Sequence, residues 1–456
     1  MPAAPHTRPG RWIDGWDPED AVFWERTGRR VARRNLRLSI LSEHIGFSVW
    51  SIWSVMVLFM SPAIGLGFTA SEKFLLTTVP TLVGALLRLP YSYAVTRFGG
   101  RNWTVVSTAA LLVPTASTAY FVQQPGTELW VFLVLGALTG VGGGNFASSM
   151  TNITAFFPQR AQGWALGLNA GGGNIGVAVV QLVGLLVVAL AGNTSPALVA
   201  GVYLPLIVLA ALLAAVRMDN IDAVVAAPGA QLEVVRDRHA WWISLLYVGT
   251  FGSFIGYGFA FGLVLQNEFG SSPLQAATWT FLGPLLGSLA RPLGGRMSDR
   301  FGGALVTFWN FLAMAVATGV LLVASGSGSF PLYLTAFIAL FVLTGVGNGS
   351  VYKMIPGIFT ARAALSSIPD AFARARRLSG ALMGVAGAVG ALGGVFINLT
   401  FRASFGGSAA NGNAALLTFL AFYVLCLVVT WAVYLRPAPG RVATRREPVA
   451  EGVTSA

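Results

Sequence analysis

Twelve apolar stretches of about 20 residues each restrict what this chain can fold into more than any other feature. A helix of about 20 apolar residues crosses the roughly 30 Å of hydrocarbon in a bilayer. With 55% hydrophobic and only 10% charged residues, the composition excludes an ordinary soluble domain. The sequence therefore predicts an all-α, polytopic membrane protein with twelve transmembrane helices, whose approximate limits are 36–60, 74–96, 103–122, 129–157, 164–190, 197–217, 241–266, 276–298, 303–324, 331–359, 379–401 and 414–435.

The distribution of the 29 Lys and Arg residues predicts the orientation, because short loops rich in these residues stay in the cytoplasm. If both termini are cytoplasmic, only Lys73 and Arg402 fall in external loops, while Arg88, Arg291 and Lys353 fall inside spans. We therefore expect a multi-pass plasma-membrane protein with both termini inside. The basic residues follow the inner face, which favours anionic membrane lipid as a partner and argues against nucleic acid.

The longest polar break between spans, 218–240, divides the chain into six spans and six spans. We expect a cytoplasmic N-terminal segment (1–35), an N-terminal six-helix bundle (36–217), a cytoplasmic linker (218–240), a C-terminal six-helix bundle (241–435) and a cytoplasmic tail (436–456).

The two predicted bundles carry matching residues at one constant offset. Arg88 and Arg291 differ by 203 positions, and so do Asn145 and Asn348 (291 − 88 and 348 − 145). An offset shared by span pairs 2/8 and 4/10 indicates duplicated halves. The sequence thus predicts two pseudo-symmetric bundles that face each other.

The loop between spans 8 and 9 reads Gly-Arg-Met-Ser-Asp-Arg-Phe-Gly-Gly over 295–303 and resembles the signature loop of the major facilitator superfamily. Asp299 and Arg300 in this loop are predicted to form an inner-face latch. The equivalent loop between spans 2 and 3 has Thr96 where the acid belongs, so the two latches are not equal.

Arg88 and Arg291 carry the functional argument. An arginine at the bilayer centre costs at least about 2.5–3.5 kcal/mol, and it is retained mainly where it has a role. Only one acidic residue, Glu43, lies clearly within a span, and it is expected near the inner end of the first, so no carboxylate is expected at mid-depth. Two unpaired guanidiniums would form an anion site, and their planar donors match a planar oxyanion.

Spans 4 and 5 are rich in glycine and asparagine. Asn145 and Asn152 share a helix face, while Gly167 and Gly171 are spaced so that helices can approach closely. Tight helix packing explains most of these residues equally well. Asn174 is the one that we expect to contact a ligand.

Two segments carry a family resemblance: Gly-Gly-Gly-Asn-Phe-Ala-Ser-Ser-Met-Thr-Asn at 142–152 and Gly-Val-Gly-Asn-Gly-Ser-Val-Tyr-Lys-Met-Ile-Pro at 345–356. They resemble the nitrate-signature segments of bacterial nitrate/nitrite porters of the major facilitator superfamily, and the resemblance covers roughly 33–435. It implies the major facilitator fold, a bacterial plasma membrane, and nitrate and nitrite as partners. The residues that it implies for substrate binding are Arg88, Arg291, Tyr257 as a hydroxyl donor, Phe146 and Phe261 as flanking rings, and Asn174 as an amide contact.

Further residues have an accessory or gating role in this hypothesis: Asn145, Asn152, Asn348, Lys353, Gly167 and Gly171. Lys353 lies five positions after Asn348 and so points about 140° away from it on a helix. It either reaches the inner interface or serves as a gate.

The sequence resembles most the branch associated with nitrate/nitrite exchange. One-for-one antiport is electrically neutral, whereas proton symport usually needs a titratable group at depth, and the candidates are Glu43 and His44. Nitrate/proton symport, a porter for another small anion and an anion channel remain alternatives.

No catalytic constellation, cofactor motif or metal cluster is evident in the sequence. Its one cysteine, Cys426, excludes an internal disulfide, and its three histidines are scattered. We therefore expect a carrier without cofactor, not an enzyme, that functions as a monomer.

Overall fold

The computed structural model of the chain describes residues 7–222, 233–366, 371–408 and 410–436. Helices dominate these ranges, which confirms the predicted all-α class. The long helices are α1 (Ala21–Phe59), α2 (Ala70–Phe98), α3 (Gly100–Phe121), α4 (Leu129–Phe156), α5 (Gln159–Ala191), α6 (Ala197–Arg217), α7 (Arg238–Phe269), α8 (Pro273–Thr280 and Leu282–Phe301), α9 (Gly303–Gly326), α10 (Phe330–Ala364), α11 (Ala371–Gly406) and α12 (Asn413–Leu435).

Within the described residues, eleven of these helices are long and apolar enough to cross a membrane. The remaining one is α8, which covers the predicted span 276–298. Its second part, Leu282–Phe301, carries Arg291 and further charged residues toward its end, and these lower its mean hydropathy. The twelve predicted spans are thus all helical, although composition alone supports eleven.

A small sheet connects the N-terminal segment to the end of α6. It consists of β1 (Thr7–Arg8), β2 (Trp12–Ile13) and β3 (Asn220–Ile221), in the order β1-β2-β3, with β1 antiparallel and β3 parallel to β2. Asp219 stabilises the connection: it accepts hydrogen bonds from Arg11 (2.7 Å) and Asn35 (2.8 Å) and pairs with Arg34. Part of the predicted linker, 223–232, and the predicted tail beyond Arg436 lie outside the described residues.

Two glycines turn the chain sharply at equivalent places. Gly99 between α2 and α3 has a φ of 87°, and Gly302 between α8 and α9 has a φ of 90°. A residue with a Cβ is strained at such positive φ values. Both turns are therefore tight, and they lie 203 positions apart (302 − 99).

Helices α2 and α11 pack against each other on the side away from the N-terminus. The ring centroid of Phe74 lies 5.9 Å from that of Phe401 and 5.5 Å from that of Phe405, in stacked geometry. Thr77 donates a 2.8 Å hydrogen bond to the Asn398 side chain. These buried aromatic and polar contacts hold the ends of α2 and α11 together.

On the side that carries the N-terminus, glycines of α5 face open space. On α5, Gln181 donates a 2.7 Å hydrogen bond to the Gly258 carbonyl of α7. The same face continues toward the N-terminal side through Asn174 to Gly171 and Gly167, where an added Cβ would meet no atom within 4 Å.

Candidate functional site

Arg88 lies in the middle of α2 and is 1% exposed. Its Nη1 donates a 2.8 Å hydrogen bond to the carbonyl of Gly387 on α11. Its Nε and Nη2 are buried and have no protein partner. Because Nε and Nη2 form one edge of the guanidinium, this edge is available for a bidentate hydrogen bond to a planar anion.

Aromatic rings surround the Arg88 guanidinium. Its Cζ lies 4.6 Å from the ring centroid of Phe146, 4.9 Å from that of Phe251 and 5.8 Å from that of Trp50. Cations are attracted to ring faces at such distances. The rings come from α4, α7 and α1, so several helices position this one charge.

Arg291 of α8 is also buried beside aromatic residues. Its Nη2 donates a 3.2 Å hydrogen bond to the Tyr247 hydroxyl, and its Cζ lies 5.2 Å from the ring centroid of Tyr352. Its Nη1 is buried without a partner. The two tyrosine rings lie 4.5 Å apart, and Tyr352 donates a 3.0 Å hydrogen bond to the Met383 carbonyl.

The two arginines belong to one site. Arg88 lies over Phe251, the ring of Phe251 stacks on Tyr247 at 5.0 Å, and Tyr247 holds Arg291. Gly387 borders both arginine environments, because a Cβ there would lie 3.1 Å from the Tyr352 hydroxyl and 3.6 Å from Arg88 Nη1.

Neither guanidinium forms an ion pair within the described part of the chain. Glu43, which we expected near the inner end of the first span, is buried one helical turn before Phe47, whose ring stacks on Phe146 beside Arg88. It is in electrostatic range of both guanidiniums, yet it forms hydrogen bonds with other residues. The site therefore contains two buried positive charges without a contacting carboxylate.

The asparagines named from the sequence are buried polar groups with unused hydrogen-bonding capacity. Both amide atoms lack a protein partner in each of Asn145, Asn152, Asn174 and Asn348. Buried amides normally find partners, so each of these positions has capacity for a ligand or water.

Tyr257 and Phe261 do not lie where the sequence analysis placed them. The Tyr257 hydroxyl shares a 2.5 Å hydrogen bond with Tyr423, and Phe261 stacks on Phe337 at 4.3 Å. Neither has a described hydrogen bond or ring contact with an arginine. The residues at the site are Tyr247 and Phe251, ten positions earlier, which is about 15 Å along a helix.

The i, i+4 spacing of Tyr247 and Phe251 could have identified this face of α7. Periodicity alone did not decide between it and the next aromatic face, because both are apolar and buried. Tyr352 was also missed, although it precedes Lys353 in the second signature segment.

Lys353 lies away from the arginines. Its Nζ forms a 2.7 Å ion pair with Asp299, so that α10 is joined to the end of α8. Both side chains are about half exposed, and pairs of this kind contribute little to stability. Arg300, the other predicted latch residue, packs its guanidinium 5.2 Å from the ring of its neighbour Phe301.

Similarity to known proteins shows the superfamily to which the chain belongs. The model of the Major Facilitator Superfamily matches residues 44–398. The fold agrees with this match: the solved structure of the xylose transporter XylE from E. coli covers 89% of this chain and 98% of its own with a TM-score of 0.65, at 15% identity.

Curated relatives narrow the class. The nitrate/nitrite transporter NarU of Salmonella typhimurium is 41% identical over 94% of this chain and 97% of its own length. The probable nitrate/nitrite antiporter NarK2 of Thermus thermophilus is 33% identical over 94% and 97%, respectively. The chain belongs to the major facilitator superfamily and, within it, to the same family as NarU and NarK2.

Proposed function

We propose that this protein carries nitrate and nitrite across the bacterial plasma membrane, with the anion bound between Arg88 and Arg291. The observation that carries this proposal is the pair of buried guanidiniums, whose free N–H groups and charges have no carboxylate in contact within the described chain. The names of relatives at 33–41% identity support the choice of substrate.

The geometry suits a small, flat anion. The free edge of Arg88 offers two parallel N–H donors, and Arg291 offers a further donor from its Nη1. Phe146 and Phe251 flank the Arg88 guanidinium and would exclude water from the slot. In this proposal Phe251 and Tyr247 replace Phe261 and Tyr257 as ring and hydroxyl contacts.

Transport would proceed by alternating access. The predicted bundles 36–217 and 241–435 would rock about the arginine site, while both termini stay cytoplasmic. In this orientation, the contacts between Phe74, Phe401 and Phe405 would close the outer side, and the anion would leave toward the cytoplasm. Asn174 would contact the anion, and Gly167 and Gly171 would let α5 close over the path in the opposite state. The site is complete within one chain, so we propose a functional monomer and a carrier, not an enzyme.

We propose antiport of nitrate and nitrite as the mode of transport. Moving one anion inward against an inside-negative potential costs about 2.3 kcal/mol per 100 mV. One-for-one exchange carries no net charge. In the empty carrier, the two guanidiniums repel each other, and a bound anion would relieve this repulsion and permit rocking.

Counterflow in proteoliposomes tests the proposal. Vesicles loaded with nitrite should accumulate labelled nitrate, and unlabelled nitrate or nitrite outside should compete far better than formate or chloride. Equal competition by formate would point to a porter for small carboxylates. Single-channel conductance in planar bilayers would point to a channel.

A further inference from the structure

Glu43 is a buried carboxyl for which simple anion exchange has no use. It is 1% exposed, and its Oε2 accepts hydrogen bonds from Ser149 (2.5 Å) and Asn169 (2.6 Å). Its Oε1 is buried without a partner. A Cβ at Gly173 would collide with Oε1, so this glycine leaves the space that the carboxyl occupies.

Glu43 lies one helical turn before Phe47, whose ring stacks on Phe146 at 6.1 Å, and Phe146 lies 4.6 Å from the Arg88 guanidinium. The charged groups that act on Glu43 are therefore the two guanidiniums of the proposed anion site, those of Arg88 and Arg291. Neither contacts the carboxyl as an ion pair within the described residues. The carboxyl is thus sensitive to the charge of the site without being bound to it.

Other titratable side chains around this part of α1 are occupied or distant. His44 directs its Nδ1 to the Gly172 carbonyl of α5 at 3.0 Å. On α6, Tyr203 lies beside Ser48, further along α1. On α3, Arg101 donates to a carbonyl at the end of α6. The groups from α4 and α5 that touch the carboxyl are the uncharged serine and asparagine described above.

We propose that Glu43 is a proton-binding site linked to the anion site: its carboxyl takes up a proton from water when an anion binds between the arginines and releases it when the anion leaves. The inference rests on the proposed anion site. One O–H bond forms on binding and breaks on release, and nothing is oxidised or reduced.

The physical reason is the change of charge beside a buried acid. With the site empty, two nearby positive charges favour the carboxylate. A bound anion cancels one of them and places a second negative charge in the same low-dielectric region, which favours the neutral acid. Linkage requires the converse, so that protonation of Glu43 strengthens anion binding.

The hydrogen bonds around Glu43 accommodate either form. The Ser149 hydroxyl also lies 2.9 Å from the Ser39 hydroxyl, and either oxygen can donate. Ser149 therefore donates to a carboxylate, and after rotation it accepts from a carboxylic acid. Asn169 donates to the carboxyl in both states.

Proton uptake by the purified full-length protein tests the inference. Sodium nitrate is added to the weakly buffered protein while a pH-indicator dye reports protons, and nitrate binding is measured by calorimetry in parallel. We expect up to one proton taken up per nitrate bound by the wild type. Glu43→Gln should bind nitrate and take up none, and Glu128→Gln, which alters an exposed acid in an outer loop, should match the wild type.

Nitrate binding without proton uptake, or uptake that persists in Glu43→Gln, would overturn the inference and leave the proposed function intact. Absence of nitrate binding by the wild type would overturn both. Should Glu43→Gln fail to fold, the wild type alone decides: its nitrate affinity must rise as pH falls, by up to about tenfold per pH unit, and a pH-independent affinity contradicts the linkage.

Discussion

The guanidinium carbon of Arg88 lies 4.9 Å from the ring centre of Phe251, although the two residues come from α2 and α7 and are 163 positions apart (251 − 88). The proposed anion site therefore takes residues from both predicted bundles. A rocking motion of one bundle against the other would change this contact.

Replacing either site arginine by lysine should reduce nitrate/nitrite counterflow by about a hundredfold or more. Arg88→Lys and Arg291→Lys keep the charge but lose the planar fork, and each charge-assisted hydrogen bond lost contributes about 1.5–3 kcal/mol. Arg97→Lys, on the exposed end of α2, is the matched control and should retain wild-type flux. Near-normal flux in either site variant would refute the assignment.

Removal of the Tyr247 hydroxyl should weaken nitrate binding about tenfold, because its hydrogen bond to Arg291 fixes the guanidinium. Tyr257→Phe is the matched comparison: it loses the bond to Tyr423 and should lower thermal stability while leaving affinity unchanged. Calorimetric titration of both variants with nitrate shows which of the two aromatic faces of α7 affects anion binding. The reverse ranking of affinities would restore the original prediction for Tyr257.

Gly387→Ala should lower nitrate affinity about fivefold. The added methyl group would lie 3.1 Å from the Tyr352 hydroxyl, which is tighter than an ordinary contact, and overpacking of this kind costs about 1 kcal/mol or more. Gly319→Ala on α9 meets open space and serves as the control in the same binding assay. Unchanged nitrate affinity in Gly387→Ala would show that the close contact between this position and Tyr352 does not affect anion binding.

Gly167→Val should slow exchange severalfold but leave equilibrium binding of nitrate intact. In the conformation described here a side chain at Gly167 meets nothing within 4 Å, whereas closure of the N-terminal side would bring another helix against it. The nitrate affinity of Gly167→Val, measured by calorimetry, and its counterflow rate are compared with the wild-type values to check this prediction. A loss of affinity equal to the loss of rate would argue for a direct role in binding.

The pair of Asp237 and Arg362, outside the membrane spans, should make stability depend on pH. Burial raises the pKa of Asp237, but the hydrogen bonds from Arg362 and from the His239 backbone lower it, and the net pKa lies below its ordinary value. A lowered folded-state pKa stabilises the fold above the unfolded pKa of about 4, and this stabilisation is lost as pH falls through the folded pKa. Melting curves of Asp237→Asn should therefore show a smaller loss of stability on acidification than the wild type shows.

More of the fold than of the candidate site could be predicted from the sequence. The length of the apolar stretches predicts the helices, and the charge of the loops predicts their orientation. Arg88 and Arg291 stand out because a charged residue is conspicuous in an apolar span, and the constant offset pairs them. The aromatic contacts are harder to predict from the sequence. Helix α7 is buried on nearly every face, so periodicity does not distinguish Tyr247 from Tyr257, and only the packing of the helices decides between them. The two-residue strands near the N-terminus are too short to show any alternation.

A structure determined with nitrate bound tests most directly whether the anion is the missing counter-charge of the arginines. We expect planar density for one nitrate between Arg88 and Arg291, against the free edge of Arg88 and between the rings of Phe146 and Phe251. Nitrate density elsewhere, or a protein carboxylate in contact with either guanidinium, would contradict this site.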